Sequence, residues 1–177
     1  MKKIIRKNTF ETNSSSIHTL CINKEDFNIP SNIKIDFSPG EFGWGAETLS
    51  SVHERASYLF TYIMNECYDY DYKTKEYKSD RRDELLNVIS ETLSKHNIQC
   101  EFHKGEGDFW KNGYIDHGSE LNSFMLSIIE NEDELLRFLF NDKNVIFIDN
   151  DNRDYDDALF NESEYPEDEY EIYVKGN

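Results

Sequence analysis

Cysteine is scarce in this sequence, and the cysteines present form no recognisable pair. Cys21, Cys67 and Cys100 are an odd number at wide spacing, and the 177 residues contain no Cys-x-x-Cys motif. This pattern suggests neither a disulfide framework nor a zinc knuckle. We therefore expect a protein that needs no covalent cross-link and that works in a reducing compartment.

Long apolar runs are also absent. No stretch reaches the roughly 18 consecutive apolar residues that indicate a transmembrane helix. The amino end from Met1 to Lys7 is basic, but polar Asn8 and Thr9 follow it instead of the apolar run of a secretory signal. These features predict a cytoplasmic protein that does not associate with membranes.

Basic residues are few relative to acidic ones. The chain has 19 lysines and arginines against 36 aspartates and glutamates, a formal net charge of −17. Because lysine and arginine neutralise phosphates, this balance argues against direct binding of nucleic acid. The same charge favours attraction to a basic protein surface, and large basic clefts belong mainly to proteins that hold nucleic acids. The alternative is that the charge only keeps the protein soluble.

Alternating and short apolar segments predict the strands of a sheet. The predicted strands are 17–22, 33–37, 100–102, 145–148 and 170–174. The first and fourth of them are the most apolar, so we expect those two at the centre of the sheet, where strands are buried most completely.

Apolar residues at spacings of three and four predict four helices. One covers about 48–67, and the others follow capping residues at Ser79 or Asp80, at Ser119 and at Asn131. The order of elements indicates an α+β fold: one domain over 1–177 with a mixed, mainly antiparallel sheet of about five strands and about four helices.

Two segments lack a regular pattern. The glycine-rich segment 41–45 is predicted to be an irregular loop, with Trp44 packed against the first helix. The tyrosine- and lysine-rich segment 68–78 is predicted to be an exposed connection.

Small polar residues precede the first strand. Asn13, Ser14, Ser15 and Ser16 are candidate ligand-binding residues, since hydroxyl and amide groups of this kind can converge on a phosphate or another oxyanion. His18 follows them as a candidate base or metal ligand. The alternative is a polar turn closed by local side-chain bonds to the backbone.

A second polar segment precedes the third helix. Asp116 and His117 are candidate catalytic residues, because the carboxylate can orient the imidazole, and Ser119 is a candidate ligand-binding residue at the start of the helix. The alternative is that Ser119 only caps the helix. If the polar segments meet at one edge of the sheet, His18 lies near Asp116 and His117, and the Asn13 to Ser16 turn forms one wall of the site.

The carboxyl-terminal part of the chain is the most acidic. Residues 149–177 include 11 acidic and 2 basic residues, which supply −9 of the total charge. Asp149 and Asp151 follow a buried strand and are candidate ligands for a divalent metal. Candidate partner-binding residues combine carboxylates with interleaved tyrosines: Asp154, Tyr155, Asp156, Asp157, Glu162, Glu164 and Tyr165. The alternative for this segment is a solvated loop.

The run from Phe10 to His18 reads Phe-Glu-Thr-Asn-Ser-Ser-Ser-Ile-His. It resembles an amino-terminal segment of small uncharacterised acidic proteins of bacteriophages and mobile elements. Segments 40–44, 116–119 and 138–152 look similar to the same group, so the resemblance touches most of the chain in short pieces. It implies an origin in a mobile element, and hence the cytoplasm of a bacterial host, more than it implies a chemistry.

Two functions remain open on these observations. The first is an accessory protein whose acidic surface binds and inhibits a host nucleic-acid-handling defence machine, for instance an anti-CRISPR or related anti-defence inhibitor. Its partner would be a basic protein of a nucleic-acid-binding complex. The second is a small metal- or phosphate-dependent enzyme, or a nucleotide-binding protein, that uses the segments Asn13–His18 and Asp116–Ser119 with a divalent metal as cofactor.

Overall fold

The computed structural model describes residues 16–71, 73–74, 76–105, 113–116, 118–150 and 159–175. The strands are Ser16–Asn23 (β1), Lys34–Phe37 (β2), Glu41–Phe42 (β3), Glu47–Leu49 (β4), Tyr68–Asp71 (β5), Glu76–Asp80 (β6), Gln99–Phe102 (β7), Tyr114–Ile115 (β8), Val145–Asn150 (β9) and Tyr170–Lys175 (β10). The α-helices are Val52–Glu66 (α1), Arg82–Lys95 (α2), Asn122–Glu130 (α3) and Glu132–Phe140 (α4). The prediction of an α+β fold is confirmed.

The main sheet has four antiparallel strands in the order β10-β1-β9-β4. β1 and β9 lie at its centre, as their apolar runs predict. Leu20 and Ile146 are fully buried on the face that meets the helices, where the ring of Phe124 in α3 stacks on Tyr173 of β10 at 4.4 Å. Thr19 and Cys21 are also buried, because the segment before β10 crosses the opposite face.

The first helix is the centre of the core. Ser51 caps it, with reciprocal hydrogen bonds between Ser51 and Glu54. Arg55 is 1 % exposed and donates to the carbonyls of Leu139, Asn141 and Asn144 at 2.8 to 3.1 Å. A cation at these carbonyls complements the negative end of α4, so the guanidinium holds α1, α4 and the start of β9 together.

The other helix starts agree with the sequence only in part. Asn131 caps α4, since its Oδ1 accepts from the N–H groups of Asp133 and Glu134 at 3.0 and 3.2 Å. The capping residue of α2 is Arg81, although the Asp80 carboxylate still accepts from the backbone N–H of Arg82. Ser119 is not the cap of α3, because it lies inside a 3-10 helix, Gly118–Leu121, that leads into it.

Three two-stranded pairs lie outside the main sheet. β2 pairs with β7 and β3 with β8, both in parallel, and β5 pairs with β6 as a hairpin. The segment 68–78 was predicted to be a connection without a regular pattern, but it contains the two strands of this hairpin. The prediction of a wholly irregular segment 41–45 was also wrong, because Glu41–Phe42 is a short strand. Tyrosine, which is frequent in 68–78, favours strands. In both segments the strand is stabilised by pairing with another segment, and the local sequence pattern does not indicate that pairing.

Trp44 does not pack against α1, contrary to the prediction. It is 72 % exposed, and its ring lies 5.8 Å from that of Tyr114 in β8. Gly43 before it has a φ of 110°, which turns the chain outward at this point. Trp44 is therefore a surface residue rather than part of the core.

One hydrophobic cluster joins the main sheet, the four helices and the β2–β7 pair. In the described parts of the chain, no helix is both long and apolar enough to cross a membrane.

Candidate functional site

The structure brings three of the predicted polar residues together at the start of β1. The Oγ of Ser16 lies 2.8 Å from Nε2 of His18, and the backbone N–H of Ser16 donates to the Asp116 carboxylate at 3.0 Å. The expected convergence of the two polar segments is thus present for Ser16, His18 and Asp116, although they are far apart in the sequence.

The imidazole of His18 is bonded on both nitrogens. Its Nδ1 lies 2.8 Å from the hydroxyl of Tyr58, which sits on the buried side of α1. Burial raises the pKa of the Tyr58 phenol well above its ordinary value, so the hydroxyl stays neutral. Ser16, His18 and Tyr58 form one buried hydrogen-bonded chain.

This chain is closed to solvent. His18 is 0 % exposed and Ser16 is 1 % exposed. Gly43, which follows β3, packs closely against it, since an added Cβ there would lie 2.6 Å from Asp116 Cβ and 2.9 Å from Ser16 Oγ. A serine beside a histidine is an arrangement that nucleophilic catalysis uses, but a nucleophile must reach its substrate. The enclosed geometry indicates a structural role, in which these hydrogen bonds hold β1, α1 and the end of β8 together.

Asp116 is the partly exposed end of the cluster. Its carboxylate also accepts a hydrogen bond from the hydroxyl of Tyr114 at 3.1 Å. Burial raises the pKa of Tyr114, and the hydrogen bond to Asp116 raises it further. The Tyr114 ring in turn lies against exposed Trp44. The cluster therefore reaches the surface at Tyr114 and Trp44.

Several predicted site residues lie outside the described part of the chain. They are Asn13, Ser14, Ser15, His117, Asp151, Asp154, Tyr155, Asp156 and Asp157. For Ser119 the structure gives the backbone, in the 3-10 helix before α3. The proposed roles of these residues stay predictions.

Asp149 holds the chain that follows β9. Its Oδ2 accepts from the backbone N–H of Leu159 at 2.9 Å. This bond anchors the segment that returns across the outer face of the sheet, a role that sequence alone did not suggest for Asp149. Its predicted role as a metal ligand with Asp151 stays a prediction.

A possible metal-ligating group that the sequence did not reveal lies on the β2–β7 pair. Asp36, Glu101 and His103 present ligand atoms within 4.8 Å of one another, all exposed. Lys34 forms ion pairs with both carboxylates, at 3.2 Å from Asp36. Hydrogen bonds from Lys34 lower the pKa of both carboxyls. A cation of the chain itself already compensates the two acids, so the geometry is that of a surface ion-pair network.

A continuous acidic and aromatic surface covers the outer face of the main sheet. We call residues 159–175 the acidic-aromatic surface. Its rings form a chain in which Phe160 and Tyr165 lie 5.9 and 5.5 Å from Phe147 of β9, and Tyr170 lies 5.1 Å from Tyr165. These contacts fix the segment, including the predicted partner-binding residues Glu162, Glu164 and Tyr165.

Acidic residues are dense along the same segment, although Glu171 lies on the other face of β10, in a groove with Ile22 and Phe124. Six acidic residues lie between 162 and 171, and all are exposed: Glu162, Glu164, Glu167, Asp168, Glu169 and Glu171. A groove of about 520 Å³ opens beside them, lined by Phe160, Ile172 and Val174 with Glu162, Glu167 and Lys24 at its rim. Val174 is 53 % exposed. The surface thus combines an apolar floor with an acidic border.

Comparison of the chain with family models, with curated proteins and with solved structures gives no match.

Proposed function

We propose that the protein binds a basic protein partner through the acidic-aromatic surface and thereby inhibits that partner. The observation that carries the proposal concerns the ion pairing of the six carboxylates between 162 and 171. Among the described residues, none of the six forms an ion pair with a lysine or arginine. Several exposed acids elsewhere are paired, for example Glu25 with Lys143, Glu130 with Arg81, and Glu132 with Lys95.

Clustered carboxylates without counter-charges repel one another and create a negative potential over the surface. A partner with arginines and lysines at matching positions relieves this repulsion, and the encounter is accelerated by the opposite charges. A solvated loop has the same charge, but it does not hold its aromatic residues in a packed chain against a sheet. The packing of Phe160 and Tyr165 on Phe147 supports a partner-binding surface over a solvated loop.

The apolar floor supplies the contact area that charge alone lacks. Interfaces have a core of aromatic and aliphatic side chains with a polar rim, and the core carries most of the binding energy. Phe160, Tyr165 and Tyr170 are partly exposed, and Val174 is more than half exposed. We infer that these side chains form the core of the interface and the carboxylates its rim.

The partner class follows from charge. Proteins with extended basic surfaces are mainly those that hold nucleic acids, and an acidic protein seated on such a surface competes with the phosphates. This supports an inhibitor of a nucleic-acid-handling machine, such as a host defence complex, acting in the cytoplasm of a bacterial host. The resemblance to proteins of bacteriophages and mobile elements supports the same function.

The enzyme hypothesis receives less support from the described residues. Ser16 and His18 are bonded to each other inside the protein, with exposed fractions of 1 % and 0 %. Catalysis there would need an opening of the structure around β1 and α1. The acidic-aromatic surface needs no such rearrangement.

The proposal is tested by displacement of DNA. A labelled duplex is bound to purified basic nucleic-acid-binding proteins, including a guide-RNA-loaded CRISPR nuclease, and the protein is titrated in at low salt. We expect the wild type to displace the duplex and the triple variant Glu162→Gln, Glu164→Gln, Glu167→Gln to displace it weakly.

The matched control is the triple variant Asp26→Asn, Glu41→Gln, Glu91→Gln, which changes the net charge equally at exposed positions elsewhere. It should act like the wild type. Equal losses in both variants would show that net charge alone is responsible and would overturn the assignment to this surface. Absence of displacement by the wild type from every basic protein would overturn the inhibitory function.

A further inference from the structure

In the part of the chain that the structure describes, no strand pairs with the outer edge of β10. Lys24 donates its backbone N–H to the carbonyl of Glu169 at 2.8 Å, which fixes the hydrogen-bonding phase of the β1–β10 ladder. Glu171 and Tyr173 therefore point their N–H and C=O groups toward β1. Ile172 and Val174, which alternate with them, point theirs away from the sheet.

A second bond confirms this phase. The N–H of Asn23 in β1 faces the other way, toward β9, where it donates to Oδ1 of Asn144 at 2.7 Å. Odd-numbered residues of β1 thus bond toward β9 and even-numbered ones toward β10. The outward direction of the Ile172 and Val174 backbone follows from two independent contacts.

Within the described ranges, the sheet ends at β10, and the outward backbone groups of Ile172 and Val174 have no hydrogen-bond partner. The open stretch begins after Tyr170, whose N–H is bonded to the carbonyl of Pro166 at 2.9 Å. Proteins usually protect an edge strand with a proline, a bulge or an inward charge. β10 has none of these at 172–174, and its two side chains there are apolar.

We propose that β10 accepts an extended basic segment of the partner as an added strand of the sheet. This inference rests on the proposed function, since it specifies how the acidic-aromatic surface holds its partner. Strand addition obtains affinity from backbone hydrogen bonds and specificity from alternate side chains. One set of partner side chains would lie over the groove beside Ile172 and Val174, and the other beside Glu171.

The charged residues beside the edge of β10 determine which kind of strand can bind there. Glu162 and Glu167 lie at the groove rim and Glu171 on the opposite side of the strand, so arginine or lysine on either face of an added strand meets a carboxylate. Lys24 is the one cation in the groove lining, and its ammonium is already bonded to the carbonyl of Glu167. Two copies of this chain would each carry a net charge of −17, and this mutual repulsion disfavours pairing of two β10 strands.

The probe for this inference is a short peptide that alternates arginine and valine, with the same peptide fully N-methylated as control. N-methylation keeps the charge and side chains but removes the donors that strand pairing needs. Binding is measured by fluorescence anisotropy at low salt. We expect the unmethylated peptide to bind at least about tenfold more tightly, since several backbone hydrogen bonds are lost in the control.

The matched protein variants are Ile172→Pro and Thr48→Pro. Ile172→Pro removes an N–H that points out of the sheet without removing a bond to β1. Thr48 in β4 holds the equivalent outward position on the opposite edge, because its neighbours Glu47 and Leu49 carry the bonds to β9. We expect Ile172→Pro to weaken binding about tenfold or more and Thr48→Pro to leave it unchanged.

Amide exchange in the wild type gives a readout that does not depend on a variant folding. In the free protein the amides of Ile172 and Val174 should exchange quickly and that of Tyr173 slowly, and the peptide should slow the first two. Binding that survives both N-methylation and Ile172→Pro, with no change in exchange at 172 and 174, would overturn strand addition while leaving the proposed function intact. Equal peptide binding by the wild type and the Glu162, Glu164, Glu167 triple variant would instead overturn the proposed function.

Discussion

The backbone N–H of Ser16 and the carboxylate of Asp116 are joined at 3.0 Å across 100 positions of the chain. The contact ties the first residue of β1 to the end of β8. Because Asp116 also accepts from Tyr114, its carboxylate is the common acceptor of two otherwise separate elements.

Replacement of Asp116 by alanine should therefore destabilise the fold. It removes the carboxylate to which the Ser16 N–H and the Tyr114 hydroxyl both donate, and the expected loss in the free energy of unfolding is about 1–3 kcal/mol. Urea unfolding measures it, with Asp26→Ala as the exposed control. An unchanged unfolding midpoint for Asp116→Ala would contradict the structural role assigned to this carboxylate.

Tyr58→Phe should be costly although it removes a single oxygen. The hydroxyl is the partner of the buried His18 Nδ1, and a buried polar atom left without a partner costs about 1–3 kcal/mol. Thermal and urea unfolding test this loss. A double-mutant cycle with Ser16→Ala then reports the coupling through the imidazole, and strictly additive effects would show that the three side chains do not act as one chain.

Trp44→Ala should leave stability nearly unchanged, within about 0.5 kcal/mol, since surface substitutions away from special features have small effects. Its neighbour Phe42 is the matched control, being 6 % exposed in the core. Phe42→Ala should cost about 3–5 kcal/mol. A large loss for Trp44→Ala would mean that its indole is buried after all and is not available to a partner.

Stability should fall as the pH rises above about 9. Burial raises the pKa of the Cys21 thiol from 9.0 to about 12 and that of Cys67 to about 11. Between these values and 9.0 the unfolded chain has released thiol protons that the folded chain keeps, so alkaline pH favours unfolding. The stabilising contribution is fully present below pH 9 and is lost as the pH rises toward the folded-state values.

Urea unfolding at pH 8 and pH 10 measures this dependence. Each thiol contributes at most about 1.4 kcal/mol per pH unit. Cys21→Ala should reduce the dependence of the free energy of unfolding on pH. Cys67→Ala should reduce it over a narrower pH range, because the folded-state pKa of Cys67 is lower than that of Cys21. A profile identical to wild type in both variants would show that other groups dominate.

Local pattern was sufficient to predict the elements whose side chains carry a clear period. β1, β9 and β10 alternate or run apolar, and α1 and α4 show apolar residues at three and four, so their existence and approximate bounds follow from the sequence. Even the central position of β1 and β9 could be predicted, because the most apolar strands are buried on both faces.

Features that depend on pairing between distant segments could not be predicted. The parallel register of β2 and β7 places Asp36 opposite Glu101, and nothing in either segment alone indicates the other. Arg55 reads as an exposed residue of a helix, yet it is buried because the carbonyls after α4 converge on it. Burial lowers its pKa to about 10, a physical cost that only tertiary structure explains.

In the candidate site, too, some features follow from local sequence and others depend on contacts between distant segments. The convergence of Ser16, His18 and Asp116 could be predicted from polar residues at the ends of central elements. Their burial could not, because it depends on the close approach of Gly43, which follows β3, and on Tyr58 approaching from α1. The acidic segment was recognised from composition, but its aromatic packing on Phe147 and the open edge of β10 depend on how the sheet is ordered.

The order of strands in the main sheet has a consequence for how the chain acquires its structure. Cys21 in β1 pairs with Val145 of β9 on one side and with Ile172 of β10 on the other. β1 is therefore made before either of the two strands with which it pairs. Long-range pairing of this kind slows folding and leaves the apolar segment of β1 without its partner strands until β9 and β10 have been made.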